Sequence, residues 1–162
     1  MIENLNIDKS QTPEKFQHLT SGILDFLLGI MQALDTLEKE IYERHQALQS
    51  ERTMPNQIHE DEDSLWEDYF QSCEEIIAPV SAKPYRDTRT FGNPSHYDYL
   101  NNPATKIILV VKSTNRATVE FLFDRGIAKK EQFVLKNDNG NWKIDTKKYG
   151  YHDEATWRKD EL

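Results

Sequence analysis

The sequence predicts an α+β domain in which long N-terminal helices pack on a curved antiparallel sheet. Three observations carry that prediction. Apolar residues recur at spacings of three or four through the first half of the chain. They alternate, or run together in short stretches, through the second half. An Asn139-Gly140 dipeptide then joins the last two of those stretches, as in a two-residue hairpin. The 162 residues suit one domain spanning 1–162. Its expected parts are a helical half at about 12–80, an irregular segment at 81–105, a sheet at about 106–147 and a tail at 148–162.

The helical half opens at Thr12-Pro13-Glu14, where Thr12 can cap, Pro13 suits the first helical position and Glu14 favours the positive end of the dipole. Phe16, Leu19, Ile23, Phe26, Ile30, Leu34, Leu37 and Ile41 then form one stripe of a long amphipathic helix. Leu24, Leu27, Leu28 and Met31 widen the stripe, so its middle is expected to be the most deeply buried section. The pattern fades after Leu48, and Pro55 interrupts any helix still running. A second start at Ser64-Leu65-Trp66-Glu67 fits a capping box. Leu65, Trp66, Tyr69, Phe70, Cys73, Ile76 and Ile77 make the apolar face of that helix, and Pro79 closes it.

In the sheet half, Ile107 to Val111 are five consecutive aliphatics, as in a strand covered on both faces. After a turn at Ser113-Thr114-Asn115, Ala117, Val119, Phe121 and Phe123 alternate with Thr118, Glu120, Leu122 and Asp124. The hairpin at 139–140 should pair 137 with 142, 135 with 144 and 133 with 146, placing Phe133, Leu135, Trp142 and Ile144 on one face. The irregular segment is punctuated by Pro84, Gly92-Asn93-Pro94 and Asn101-Asn102-Pro103, with Tyr85 to Phe91 alternating as an edge strand would.

Charge is distributed unevenly. The net charge is −8, yet residues 1–80 carry 17 acids against 5 bases, a net of −12, and residues 81–162 carry a net of +4. An acidic half of that size argues against nucleic acid as principal partner. It suits a basic protein partner, whose approach the field would accelerate. The plainer alternative is a solvated helical face. No apolar run reaches the roughly 18 residues of a membrane span. Glu3, Asp8 and Glu14 beside Lys9 and Lys15 do not make the basic start of a signal peptide, so a soluble cytoplasmic protein is expected. Without an entry signal, the closing Lys159-Asp160-Glu161-Leu162 reads as a coincidence rather than a retrieval address.

Common chemistries find little support. A single cysteine, Cys73, excludes an internal disulfide framework and a multi-cysteine metal site. It lies on an apolar helix face beside Glu74 and Glu75, the opposite of a nucleophile's electropositive setting. His59-Glu60-Asp61-Glu62-Asp63 resembles a run of metal ligands, but counted from Asp61 a calcium loop fails at Leu65, Trp66 and Ser72. The run instead suits a solvated helix start or a partner surface. The five histidines lack metal-site spacing, and neither a glycine-rich phosphate loop nor a nucleophile elbow is present, so no cofactor is expected. Phe91 to Tyr99 gathers aromatics, His96 and Asp98 in one loop. It reads as an interaction surface, an acid–base site, or a loop pinned by buried tyrosines. Tyr149, Tyr151 and Trp157 in the tail must dock back on the domain or await a partner, and docking is preferred.

Two helices, an irregular middle, and strands ending in Phe133-Val134-Leu135-Lys136 and Gly140-Asn141-Trp142-Lys143-Ile144-Asp145 resemble the nuclear transport factor 2-like fold. The continuation through Thr146-Lys147-Lys148-Tyr149-Gly150-Tyr151, the later Trp157 and the Asn93-Pro94-Ser95 to Tyr99 segment are similar to one branch of it. That branch comprises bacterial immunity proteins of Rhs-type and contact-dependent polymorphic toxin systems. The resemblance implies a cone-shaped sheet over the helices. It also implies a non-enzymatic protein that binds and neutralises a cognate, basic toxin domain in the cytoplasm, with neither membrane nor nucleic acid as partner. Glu60, Asp61, Glu62, Asp63, Glu67, Asp68, His96, Tyr97, Asp98 and Tyr99 are the expected contact residues. The alternative is a small cone-fold isomerase or dehydratase, with Asp98, His96, Tyr97, Tyr99 and Glu120 as acid–base candidates, or a ligand-binding module of the same shape. The sequence does not choose between a monomer and a homodimer through the sheet. A deep apolar cone would favour enzyme or binder; a filled one with an acidic rim favours the inhibitor.

Overall fold

The computed structural model describes residues 5–162; Glu3, used in the N-terminal reading, lies outside them. Two helices pack on a six-stranded mixed sheet that does not close on itself. The order along the chain is β1 (Asn6–Asp8), α1 (Thr20–Ser50), α2 (Glu62–Ile77), β2 (Lys106–Ser113), β3 (Arg116–Asp124), β4 (Ala128–Asp138), β5 (Asn141–Tyr151) and β6 (Arg158–Asp160). The strands lie in the sheet in that same order, so β1 and β6 are its edges.

The apolar stripe works as expected. Ile23, Leu24, Leu27, Met31, Leu34 and Ile41 of α1 and Leu65, Tyr69, Cys73 and Ile77 of α2 are buried against one face of the sheet. Helix starts are a different matter. Thr12 does not cap: a 3-10 turn, Glu14–Leu19, precedes α1. The Thr12 hydroxyl instead donates to the carbonyl of Leu109 and accepts the N–H of Val111, both at 3.0 Å. It satisfies the edge of β2 just beyond β1, where a strand would otherwise be needed. The Ser64 capping box is also not formed, because α2 already begins at Glu62, with Asp61 in the N-cap position. Acids in the first turn favour the earlier start through the dipole.

The sheet corrects four expectations. It is mixed, not antiparallel, because the unforeseen β1 pairs with β2 in parallel. Residues 85–91 form no strand. They run as irregular chain in which Arg89 is buried and Phe91 packs on the core. β2 is covered on one face only: Ile107, Leu109 and Val111 are buried, whereas Ile108 and Val110 are half-buried on the other side. The sheet does not stop at 147, since β5 runs on to Tyr151 and the tail returns as β6. Docking of the tail is thereby observed, with Trp157 against the Lys130 ammonium at 4.2 Å.

The hairpin forms as expected at its tip. Asn139 (φ 52°) and Gly140 (φ 87°) hold the left-handed conformations of the tight turn, and 137 pairs with 142 and 135 with 144. Then Asp145 is bulged out, so Phe133 faces Lys147 rather than residue 146. That single insertion turns Thr146 outward and puts Lys147 in the core register.

Candidate functional site

Two regions are chemically distinctive: the outward faces of the helices, and a polar layer between α1 and the sheet. On the helices, Glu40, Glu43, Asp63, Glu67, Glu74 and Glu75, and Glu60 in the turn before α2, are exposed and form no ion pair among the described residues. The other predicted acids are engaged. Glu62 pairs with His45 at 3.2 Å, Asp68 with Arg44 of α1 at 3.0 Å, and Asp61 lies 3.8 Å from His59. The His59 ring also meets Glu51, which fastens the 51–61 connection between the helices. The opposite face of the sheet carries Lys106, Lys130, Lys136, Lys143 and Lys148, none of them buried. The outer helix faces are therefore predominantly acidic and the outer face of the sheet, where Glu120 and Asp124 also lie, predominantly basic.

The polar layer begins at Glu38. It occupies a core position of the α1 stripe, between Leu34 and Ile41, and is 0% exposed. Its carboxylate accepts the N–H of Gly92 at 2.9 Å and lies 2.6 Å from Nδ1 of His96 and 3.5 Å from the Ser95 hydroxyl. Gly92 suits this place because a Cβ there would lie 2.4 Å from the backbone carbon of Ser95. Beyond that loop, Arg89 (7% exposed) donates to the Tyr97 hydroxyl at 3.3 Å. Its Nε–H has no partner, nor has the hydroxyl of buried Tyr69. Burial pushes the Tyr69 phenol and the Cys73 thiol up, so both stay protonated.

A second buried group centres on Lys147. Its ammonium lies 3.0 Å from Asp160 of β6 and 3.9 Å from Glu131, and the Glu131 carboxylate accepts the Tyr99 hydroxyl at 2.7 Å. Burial and the neighbouring Glu131 carboxylate both raise the Tyr99 pKa. Between Arg89 and Lys147 is a cavity of about 260 Å³, which Thr88, Thr90 and Tyr97 also line.

The segment 96–99 thus divides. Tyr97 and Tyr99 are 1% and 4% exposed, which makes the loop one pinned by buried tyrosines and removes both from any contact surface. His96 and Asp98 remain accessible at their edges, Asp98 paired with Arg125. The acid–base candidates do not converge. His96 is held by Glu38, Asp98 by Arg125 and Tyr99 by Glu131, while Glu120 bonds Gln132 at 2.9 Å on the far face of the sheet. Among the described residues no cluster of three metal-ligating side chains occurs, and no helix is long and apolar enough to cross a membrane.

Sequence reasoning missed Glu38, Arg89, Glu131 and Lys147. A glutamate in core register between Leu34 and Ile41 was a visible signal for the first. Lys147 had none, because the bulge that turns it inward leaves no mark in the alternation. Comparison with protein-family models, curated proteins and solved structures returns no match.

Proposed function

We propose that this chain is an immunity protein: a non-catalytic inhibitor that binds a basic cognate toxin domain in the cytoplasm through the acidic outer face of its helices. The observation that carries the reading is the segregation of charge, with the unpaired acids of α1 and α2 on one side and lysines on the other. Such a field orients a basic partner before contact and accelerates encounter. The interior supports it too. Tyr69, Tyr97, Phe121, Phe133 and Leu27 occupy much of the space between helices and sheet. The cavity of about 450 Å³ beside Ile77, Tyr85 and Ile144 is also lined by Lys83, Arg86, Lys147 and Asp160, so it is not a deep apolar pocket of the kind an enzyme or binder of this shape would present. The hairpin and the tail that returns as β6 are in keeping with the nuclear transport factor 2-like, cone-shaped architecture and its immunity branch. Glu60, Asp63 and Glu67 would lead the contact, with Asp61, Glu62, Asp68, His96 and Asp98 at its margins.

The test is to recover the tagged chain from its own cells at low salt and identify a stoichiometric partner. The reading predicts a basic protein whose expression alone arrests growth and whose co-expression with this chain does not. Replacing Glu60, Asp61, Glu62 and Asp63 by Gln or Asn should slow association at least about tenfold at low salt and flatten its salt dependence. Association kinetics that ignore those replacements would exclude this face, and a partner that is harmless alone would exclude immunity.

A further inference from the structure

Arg89 presents an imbalance that the inhibitor reading does not use. A guanidinium carries five N–H donors in a fixed fork and keeps its charge at any physiological pH. Here it is 7% exposed, and its one side-chain bond is to a neutral phenol, Tyr97, at 3.3 Å. Among the described residues its Nε–H, itself closed off from solvent, has no partner, and no carboxylate lies within ion-pair distance of the guanidinium. Burying a cation without a counter-charge is strongly unfavourable.

The carboxylates nearby are committed elsewhere. Glu38 is taken by Gly92, Ser95 and His96; Glu131 by Tyr99 and Lys147; Asp160 by Lys147; and Glu161 accepts the Thr88 hydroxyl at 2.7 Å. Arg89 lines the cavity of about 260 Å³, far larger than the ~30 Å³ of one liquid water. Thr88, Thr90 and Tyr97 add hydroxyls to the same space.

We propose that this cavity is a binding site for a small monocarboxylate, whose two oxygens engage the fork of Arg89 while the hydroxyls of Thr90 and Tyr97 complete its shell. The charge on the far side selects the class. Glu131, Asp160 and Glu161 also line the cavity. Lys147 offsets part of their charge, which leaves three carboxylates against two cations around the cavity, a lining that disfavours a phosphate dianion more than a monocarboxylate. Planarity matches as well, since a carboxylate accepts two parallel bonds from guanidinium. The proposal is independent of the toxin partner.

The test is thermal unfolding of the whole chain in an anion-poor buffer, titrated with propionate, with phosphate, and with chloride at matched ionic strength. Propionate should raise Tm saturably by about 3 °C, and phosphate and chloride should not. Arg89→Met should lose that response without lowering Tm in the anion-poor buffer, because it removes an uncompensated buried charge. Arg89→Lys, which keeps charge but not the fork, should weaken the propionate response at least about tenfold while staying folded. No saturable response of the wild-type chain to propionate, or an equal response to phosphate, would overturn the assignment. So would an unchanged response in Arg89→Lys.

Discussion

Glu38 and His96 are 58 positions apart in sequence and 2.6 Å apart in space. The pair ties the middle of the long first helix to the irregular segment, and the amide of Gly92 bonds the same carboxylate. One buried side chain thus anchors the start of the loop between the helical and sheet halves, whose later part is held by Arg125 and by buried Tyr97 and Tyr99. Glu38→Ala strands the Gly92 donor and the Ser95 hydroxyl, and should cost roughly 2–4 kcal/mol. Urea unfolding followed by circular dichroism measures this; a loss under about 0.5 kcal/mol, the scale of an ordinary surface change, would show that the loop is held by something else.

Gly92 makes the matching prediction from the other side. A Cβ there would meet Ser95 and His96 backbone atoms at 2.4 and 2.5 Å, and backbone cannot swing away as a side chain can. Gly92→Ala should therefore destabilise by about 2 kcal/mol or more and shift the His96 ring resonances. An alanine variant with wild-type stability and an unmoved His96 spectrum would contradict that packing.

Lys147 sets an alkaline dependence. Burial alone would lower its pKa, but Tyr97, Glu131 and Asp160 outweigh burial and hold it above the ordinary 10.5. A raised pKa means that the ammonium's share of stability is complete below 10.5 and is lost as pH climbs through the folded value. Lys147→Met leaves Glu131 and Asp160 without their cation and should cost about 3 kcal/mol at neutral pH. The gap between variant and wild type should narrow only above pH 10.5 in denaturation midpoints. A gap that closes well below that pH would refute the ion-pair account.

Cys73 is fully buried, and burial raises its thiol pKa. It should react with an aromatic disulfide reagent at least about a hundredfold more slowly in the native protein than in urea, where the chain is open. Rapid native-state labelling would mean that α2 opens readily from the sheet.

The helical and sheet halves, the α1 stripe, the hairpin turn and the excess of acids in the first half were legible in the residues alone. Each rests on local periodicity or on turn chemistry that acts within a few residues. Asn139-Gly140 demands its turn wherever it occurs, and an apolar stripe must find a core. Tertiary structure alone decided the rest. β1 is three residues long and exists only because β2 offers it an edge, and Thr12 turns from helix cap to sheet partner for the same reason. The bulge at Asp145 exchanges Thr146 for Lys147 in the interior, a choice made by the charges waiting there from Glu131 and Asp160. Arg89 sits in a segment whose alternation does not become a strand, so its burial comes from what surrounds it. Electrostatic partnership across the fold acts between residues distant in the chain, and no local pattern encodes it.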